Sequence, residues 1–249
     1  MKKTFYEMKN SKFQKRIRLA IVSDLHGGDP RAVISALEEE RPDYILMPGD
    51  IFERLDGKDT AIYRNGIKLM KEASRIAPVF YCTGNHEDGG TRSHRMRTGE
   101  MVTVRHYDQR AVKDIKDSGA IFLENDFVLR DGIAFGGLFS GIINEGSVPD
   151  LSFLHSFCSC DAPRILLCHH PEYYSKYLKN MDIDLIVSGH AHGGQWRFFG
   201  RGVFAPGQGL FPKYTHGVHD GRLVISTGLK RNAIPRFFNP TEVVFVDIE

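Results

Sequence analysis
Long hydrophobic runs are missing from this 249-residue chain. A membrane-spanning helix needs about 18 to 20 consecutive apolar residues, and the longest apolar stretches here, such as 17–22 broken by Arg18, are strand-sized. No transmembrane segment is therefore expected. A surplus of either charge is missing as well: 33 Lys and Arg stand against 31 Asp and Glu, which excludes a polyanionic or polycationic tail protein. Cysteine is scarce, and four residues (Cys82, Cys158, Cys160 and Cys168) are too few for a disulfide scaffold at this length. Neither the G-x-x-x-x-G-K-S/T nor the G-x-G-x-x-G pattern occurs, which disfavours nucleoside triphosphate and dinucleotide cofactors, and there is no dedicated nucleic-acid motif. No apolar core of a secretory signal follows the basic opening residues, so the expected location is cytoplasmic, with all four cysteines as thiols.

What is present reads as a folded domain. Hydrophobic residues at 41% and charged residues at 26% are ordinary for a globular protein, and the length suits one α/β domain. The near-neutral total conceals a segregation. Residues 1–20 carry seven Lys or Arg and one acid, Glu7, while Arg197 to Arg236 holds seven basic residues and only Asp220. Residues 1–15 are accordingly expected to be a basic, solvated leader with at most weak membrane-surface contact, and residues 16–249 a single domain.

Apolar runs at Arg16 to Ser23, Tyr44 to Met47 and Val79 to Cys82 each end in a polar, Gly-containing loop and alternate with helical rhythms at Pro30 to Glu40 and Thr60 to Ile76. A helix at Tyr107 to Ser118 and a strand at Ala120 to Leu123 follow. Phe127 to Leu129 and Ile133 to Phe135 then flank Arg-Asp-Gly as a hairpin. Further strands are expected at Ile165 to Cys168, Leu185 to Ser188, Leu223 to Ser226 and Glu242 to Ile248, with one helix near Glu172 to Leu178. Alternation in the first half and a helix-poor last third predict an α/β fold: a β-sandwich flanked by helices. Gly193 to Gly221, rich in Gly and aromatics, reads as a long ordered loop with a function.

Polar residues collect just beyond these strands: Asp24 and His26, Asp50, Asn85 and His86, His169 and His170, His190 and His192. Loops leaving the carboxyl ends of strands converge on one rim. Imidazole, carboxylate and amide together suit Mn, Fe or Zn better than Ca, and the set exceeds the three protein ligands of a typical catalytic zinc site. The surplus points to two divalent metal ions, an arrangement that clamps the attacking and leaving oxygens of a phosphoester.

In order, Ser-Asp-Leu-His (23–26), Pro-Gly-Asp (48–50), Gly-Asn-His-Glu (84–87), His-His-Pro (169–171) and Ser-Gly-His-Ala-His-Gly-Gly-Gln (188–195) resemble the five blocks of the calcineurin-like metallophosphoesterases. The stretches 204–214 and 223–229 resemble the bacterial phosphodiesterase-like subgroup that carries Gly-Gly-Gln after the last histidine. The resemblance implies the metallo-dependent phosphatase-like fold, a four-layer α/β/β/α sandwich of two mixed β-sheets. It implies that Asp24, His26 and His192 hold one metal, that Asn85, His169 and His190 hold the other, and that Asp50 bridges them, the ions being Mn, Fe, Zn or Mg. A bridging hydroxide would then attack phosphorus, with His86 stabilising the transition state or protonating the leaving group. The implied protein is a hydrolase of a small phosphoester substrate, a phosphodiesterase first, with a phosphomonoesterase or a catalytically idle binding scaffold as alternatives. His170 is an extra histidine. Glu53 stands where the family usually has Asp, so carboxylate support of His86 does not carry over from the pattern.

Two further groups are candidates for contact with substrate. Arg92 and Arg95, in a segment that also holds Arg97, Arg105, His94 and His106, offer guanidinium groups for phosphate oxygens. Arg197, Phe198, Phe199, Phe204, Phe211 and Tyr214 are expected to form a pocket wall or to cover the sandwich edge.

Overall fold
Strands buried on both faces read as continuous apolar runs, and such runs build the two sheets that carry the site. A computed structural model describes residues 1–55, 60–87, 108–140, 149–230 and 235–249, together with the backbone of 91–95 and 101–105. In chain order the elements are β1 (Lys2–Met8), β2 (Ile17–Ile21), α1 (Arg31–Glu40), β3 (Tyr44–Pro48), α2 (Ala61–Ile76), β4 (Val79–Cys82), β5 (Thr91–Arg95) and β6 (Met101–Arg105). Next come α3 (Gln109–Asp117), β7 (Ile121–Phe122), β8 (Asp126–Arg130), β9 (Ile133–Leu138), α4 (Ser152–Cys158), β10 (Arg164–Cys168), a π-helical turn at Tyr174–Leu178, and β11 (Leu185–Ser188). Two small ribbons, β12 (Arg197–Phe198) with β13 (Arg201–Gly202) and β14 (Phe204–Ala205) with β15 (Gly209–Leu210), precede β16 (Gly217–His219), β17 (Leu223–Ile225) and β18 (Glu242–Ile248).

One six-stranded sheet has the order β1-β18-β2-β3-β4-β7, and the other β16-β17-β11-β10-β9-β8. Both are mixed. β2, β3, β4 and β7 run parallel while β18 opposes β2, and β17, β11, β10 and β9 run parallel between antiparallel β16 and β8. Successive side chains point to opposite faces, so each central strand feeds two cores. Leu46, Phe80, Ile165 and Leu167 meet between the sheets. Ile45, Met47, Val79 and Tyr81 face α1, α2 and α3, whereas Leu166, Cys168 and Ile186 face α4 and the π-helical turn. The result is the four-layer α/β/β/α sandwich of the metallo-dependent phosphatase-like fold. Phe80 and Phe135 stack at 3.9 Å across the inter-sheet layer, and burying a side chain of this size contributes about 1.5 to 3 kcal/mol. Thr60 and Asp108 start α2 and α3 by accepting from the backbone N–H of Tyr63 and Arg110, which satisfies donors that a helix leaves open.

Three expectations change. The basic leader is not a solvated tail: β1 pairs in parallel with β18 over seven residues, and Tyr6 and Met8 pack on the inter-sheet core. Part of its charge is engaged within the fold. Lys3 pairs with Glu40 and Lys12 with Asp184, and just beyond the leader Arg16 pairs with Asp247 and Arg18 grips Asp247 through Nε and Nη2 at 2.7 and 2.8 Å. The 193–221 stretch is not a bare loop but folds into the β12–β13 and β14–β15 ribbons and β16. Tyr214 is buried in the outer core, Phe198, Phe199 and Phe204 stand in solvent, and Phe211, itself exposed, lines a recess with Arg201 and Lys213, so Phe211 keeps the expected wall role and the other three phenylalanines do not pack inward. Among the described residues no helix is long and apolar enough to cross a membrane, and all four cysteines are free thiols.

Candidate metal centre
The carboxyl ends of β2, β3 and β4 in one sheet and of β10 and β11 in the other open onto the same edge of the sandwich, where parallel α/β sheets place their ligands. The expected polar residues lie on the loops that leave these strands. Five of them sit at positive φ: Asp24 (54°), His26 (49°), Asp50 (53°), His190 (65°) and His192 (46°). The two-residue spacing of Asp24 with His26, and of His190 with His192, therefore works through left-handed turns and not through an extended chain. A non-glycine residue in this region costs on the order of 1 to 3 kcal/mol and persists where the surroundings over-determine it. Two motif glycines make room. A Cβ on Gly84 would lie 2.2 Å from Asp50 Oδ1, and one on Gly189 2.4 Å from Asp24 Oδ2.

The side chains converge in two groups. Asp24, His26 and His192 form one set of mutually close ligand atoms, and Asp50, His169 and His190 the other. Asp50 Oδ2 lies 3.5 Å from His26 Nε2 and 3.2 Å from His169 Nε2, so one carboxylate faces both sets. Asn85 Oδ1 lies 3.2 Å from His169 Nε2. Asp24 Oδ2, His26 Nε2 and His190 Nε2 are buried without a hydrogen-bond partner, although leaving such atoms unpaired is costly. Buried, unpaired nitrogen and oxygen donors converging in this way fit divalent cations.

Surrounding groups fix how these rings present themselves. His169 Nδ1 lies 2.7 Å from the Pro48 carbonyl oxygen, which can only accept, so Nδ1 carries the proton and Nε2 is left facing Asp50. His26 Nδ1 lies 2.9 Å from Glu53 Oε2, with the same consequence for its Nε2. A carboxylate or carbonyl behind a ligand histidine is the usual device for setting tautomer and ring orientation. Burial pushes His26 down to about 4. It would push His169 down too, but the charge and hydrogen bond of Asp50 outweigh it and raise His169 to about 10. Burial works against ionised Asp50 as well, and the histidines around it, His169 first, hold its carboxyl well below the usual range.

Glu87, Lys230, Arg236 and Asn239 were not singled out from the sequence, whereas Glu53 and His170 were. Glu87 is fully buried, and its oxygens accept the backbone N–H groups of Asp50, Phe52 and Gly84 at 2.9, 2.8 and 2.7 Å, tying the β3 loop to the β4 loop. Burial and the charge of Asp50 push it up to about 7. Glu53 bridges two histidines, with Oε1 3.2 Å from His86 Nδ1 and Oε2 on His26, while Lys230 Nζ donates to Oε2 at 3.3 Å. The extra methylene of Glu53 thus supplies the support of His86 that the family pattern left open. Arg236 Nη2 donates to His192 Nδ1 at 3.3 Å, and Asn239 Nδ2 donates to the carbonyls of His192 and Gln195. His170 is buried behind His190, its Nε2 2.5 Å from Ser140 Oγ and its Nδ1 3.4 Å from Glu172 Oε1. The available signal was position: Glu87 closes the Gly-Asn-His-Glu block itself, and Arg236 and Asn239 are the polar residues of Pro-Arg-Phe-Phe-Asn-Pro. Arg92 and Arg95 lie on the described backbone of β5, but their side chains, with Arg97 and His106, lie outside the described residues. Beside His26 opens a cavity of about 540 Å³ lined by Leu25, Arg31, Val33, Leu229 and Lys230.

The family model for calcineurin-like phosphoesterase matches residues 17–194. An "uncharacterized metallophosphoesterase" of Helicobacter pylori strain J99 is 23% identical over 248 residues, covering 94% of this chain and 60% of the relative. YkuE of Bacillus subtilis, with the same description, is 26% identical over 225 residues, covering 86% of this chain and 71% of the relative. Among solved structures, TT1561 of Thermus thermophilus overlaps 70% of this chain and 82% of its own, with a TM-score of 0.48 and 13% identity. The chain thus spans about 60% of the length of the Helicobacter relative.

Proposed function
Because this chain belongs to the calcineurin-like phosphoesterase family, we propose that it is a dinuclear metal-dependent phosphohydrolase whose substrate is a phosphodiester. Asp24, His26 and His192 would hold one divalent ion, Asn85, His169 and His190 the other, and Asp50 would serve both. The carrying observation is that His26 and His169, locked by Glu53 and the Pro48 carbonyl, present Nε2 to the same Asp50 oxygen. Bound there, Mn, Fe, Zn or Mg ions would supply Lewis acidity and a water acidic enough to ionise near neutral pH. The chain's own residues do the rest. Buried Glu87 clamps the two loops that present Asp50 and Asn85, so the ligands are preorganised. His86 stands at the mouth with its ring 4.5 Å from that of His26 and its Nδ1 against Glu53. Glu53 as an acceptor fixes a proton on Nδ1 and holds the ring in place, the position from which His86 would protonate a leaving oxygen.

Room for a second ester substituent favours a diester, since the cavity lined by His26, with Lys230 and the Asp29–Arg31 ion pair on its wall, reaches one of the proposed ligands. The Gly193-Gly194-Gln195 turn after His192 supports the phosphodiesterase-like subgroup. We place the whole in one metallophosphoesterase domain to which residues 2–8 contribute an edge strand, and the four free thiols suit the reducing cytoplasm. Hydrolysis of bis(p-nitrophenyl) phosphate and p-nitrophenyl phosphate with added Mn²⁺ tests the reading. Faster turnover of the diester is expected. Preference for the monoester would transfer the same site to phosphomonoesters, and no turnover of either with the metals bound would leave a binding scaffold.

A further inference from the structure
The elements that follow His192 carry a second unexplained feature. Phe198, Phe199, Phe204, Phe211, Phe237 and Phe238 all stand in solvent, Phe199 fully, Phe238 at 80% and Phe211 at 77% exposure. Scattered surface apolar residues need no explanation, but a cluster of this size marks an interaction site. The backbone adds to the anomaly. Phe199, Phe211 and Phe238 sit at φ of 50°, 51° and 52°, a region unfavourable for bulky residues. Phe199 and Gly200 form the two-residue turn between β12 and β13, where Asn-Gly is the usual choice. The sequence thus places a ring outward at a strained turn and gains no packing within the chain.

These tips share one platform. Arg197 donates from its backbone N to the Phe237 carbonyl at 3.0 Å and from Nε to the Phe238 carbonyl at 3.2 Å, and Trp196 Nε1 donates to the Pro235 carbonyl at 3.0 Å. Phe211 N donates to the Val203 carbonyl at 2.8 Å, which fastens the second ribbon beside the first. Behind Phe211 lies a cavity of about 740 Å³ lined by Arg201, Lys213, His216, His219 and Tyr6, with no carboxylate among its described lining residues. A protruding Phe211 on a cationic recess, with Phe199 and Phe238 exposed on neighbouring turns, complements a surface that is apolar within and anionic at its face. Self-association fits less well, because a second copy of the patch would set Arg201 and Lys213 against like charges.

We propose that this face docks on an anionic bilayer, with Phe199, Phe211 and Phe238 inserted below the headgroups and Arg201 and Lys213 against lipid phosphates. The surface is distinct from the basic leader. Asn239, which holds the His192 and Gln195 carbonyls, links the platform to the metal centre, so docking would bring that centre to the membrane surface. Docking is separable from turnover and is tested without it. The full chain is sedimented with vesicles of phosphatidylcholine alone or with one third phosphatidylglycerol, alongside a Phe199→Ser/Phe211→Ser/Phe238→Ser variant and an Arg201→Glu/Lys213→Glu variant. Thermal unfolding and circular dichroism check that both variants are folded. The wild type is expected to bind the anionic vesicles, the triple variant at least about tenfold more weakly, and the charge-reversed variant without preference for phosphatidylglycerol. Wild-type protein left in the supernatant at low salt, or equal sedimentation of wild type and triple variant, would overturn the proposal. So would a wild-type dimer that the triple variant dissolves without any vesicle binding, since the patch would then belong to a second copy.

Discussion

Removing Glu53 probes the centre most sharply, because one carboxylate holds both a proposed ligand and the proposed acid. Glu53→Ala deletes the 2.9 Å hydrogen bond from His26 Nδ1 and the 3.2 Å contact with His86 Nδ1. Charge-assisted hydrogen bonds contribute about 1.5 to 3 kcal/mol when buried, but the Glu53 side chain is 40% exposed, and solvent screening lowers each to about 1 kcal/mol. Two such contacts amount to about 2 kcal/mol, or roughly 30-fold, inside the 10- to 100-fold range typical of groups that orient metal ligands. The loss should divide: weaker Mn²⁺ binding through His26, measured by competition with a fluorescent chelator, and slower turnover at saturating metal through His86. Glu53→Gln keeps an acceptor and loses only the charge, so about 1 kcal/mol, or roughly fivefold, is expected. His86→Ala should lower kcat by about 10² to 10⁴ with metal content unchanged. Adding Glu53→Ala to it should then weaken metal binding but hardly touch kcat. Unaltered affinity and turnover in Glu53→Ala, or full additivity in the double variant, would refute the coupling.

Asp50→Asn should weaken both ions together, since one oxygen faces both ligand sets; plasma-emission metal analysis that finds one ion retained at full occupancy would contradict a shared role. A histidine whose folded pKa is raised stabilises the fold fully below its unfolded value and loses that contribution as pH rises through the folded value. His169, raised from 6.5 to about 10, should therefore make the metal-free protein lose thermal stability between about pH 6.5 and 10, and Glu87, raised from 4.5 to about 7, adds loss of the same sign at lower pH. Binding an ion at pH 8 should release about one proton, because the ligand imidazole must be neutral, and calorimetry in buffers of different ionisation enthalpy measures it. Away from the site, Phe135→Ala should cost about 3 to 5 kcal/mol in chemical denaturation by emptying the ring stacked on Phe80, without changing metal affinity.

The sequence by itself determined the sheet strands and the loops beyond them. Burial on both faces leaves β2, β3, β4, β10 and β11 no choice but near-continuous apolar residues, and a continuous run interrupted by polar residues at its end is visible without coordinates. It also marked the glycines of Gly-Asn-His and Ser-Gly-His, which the structure explains as space for Asp50 and Asp24. Tertiary structure alone decided what short-range pattern cannot carry. The leader looked soluble because its charges lie close together in sequence, yet they neutralise acids far along the chain, such as Asp184 and Asp247. Glu53 looked like a defect because side-chain length matters only against a fixed partner, and the positions of His26 and His86 fix it. Arg236 and Asn239 reach His192 across more than forty residues. The exposed phenylalanines had the composition of a core, and only the turns that hold them outward distinguish a surface from an interior. Local periodicity reports which face of an element is apolar; what that face meets is set by contacts between residues distant in sequence.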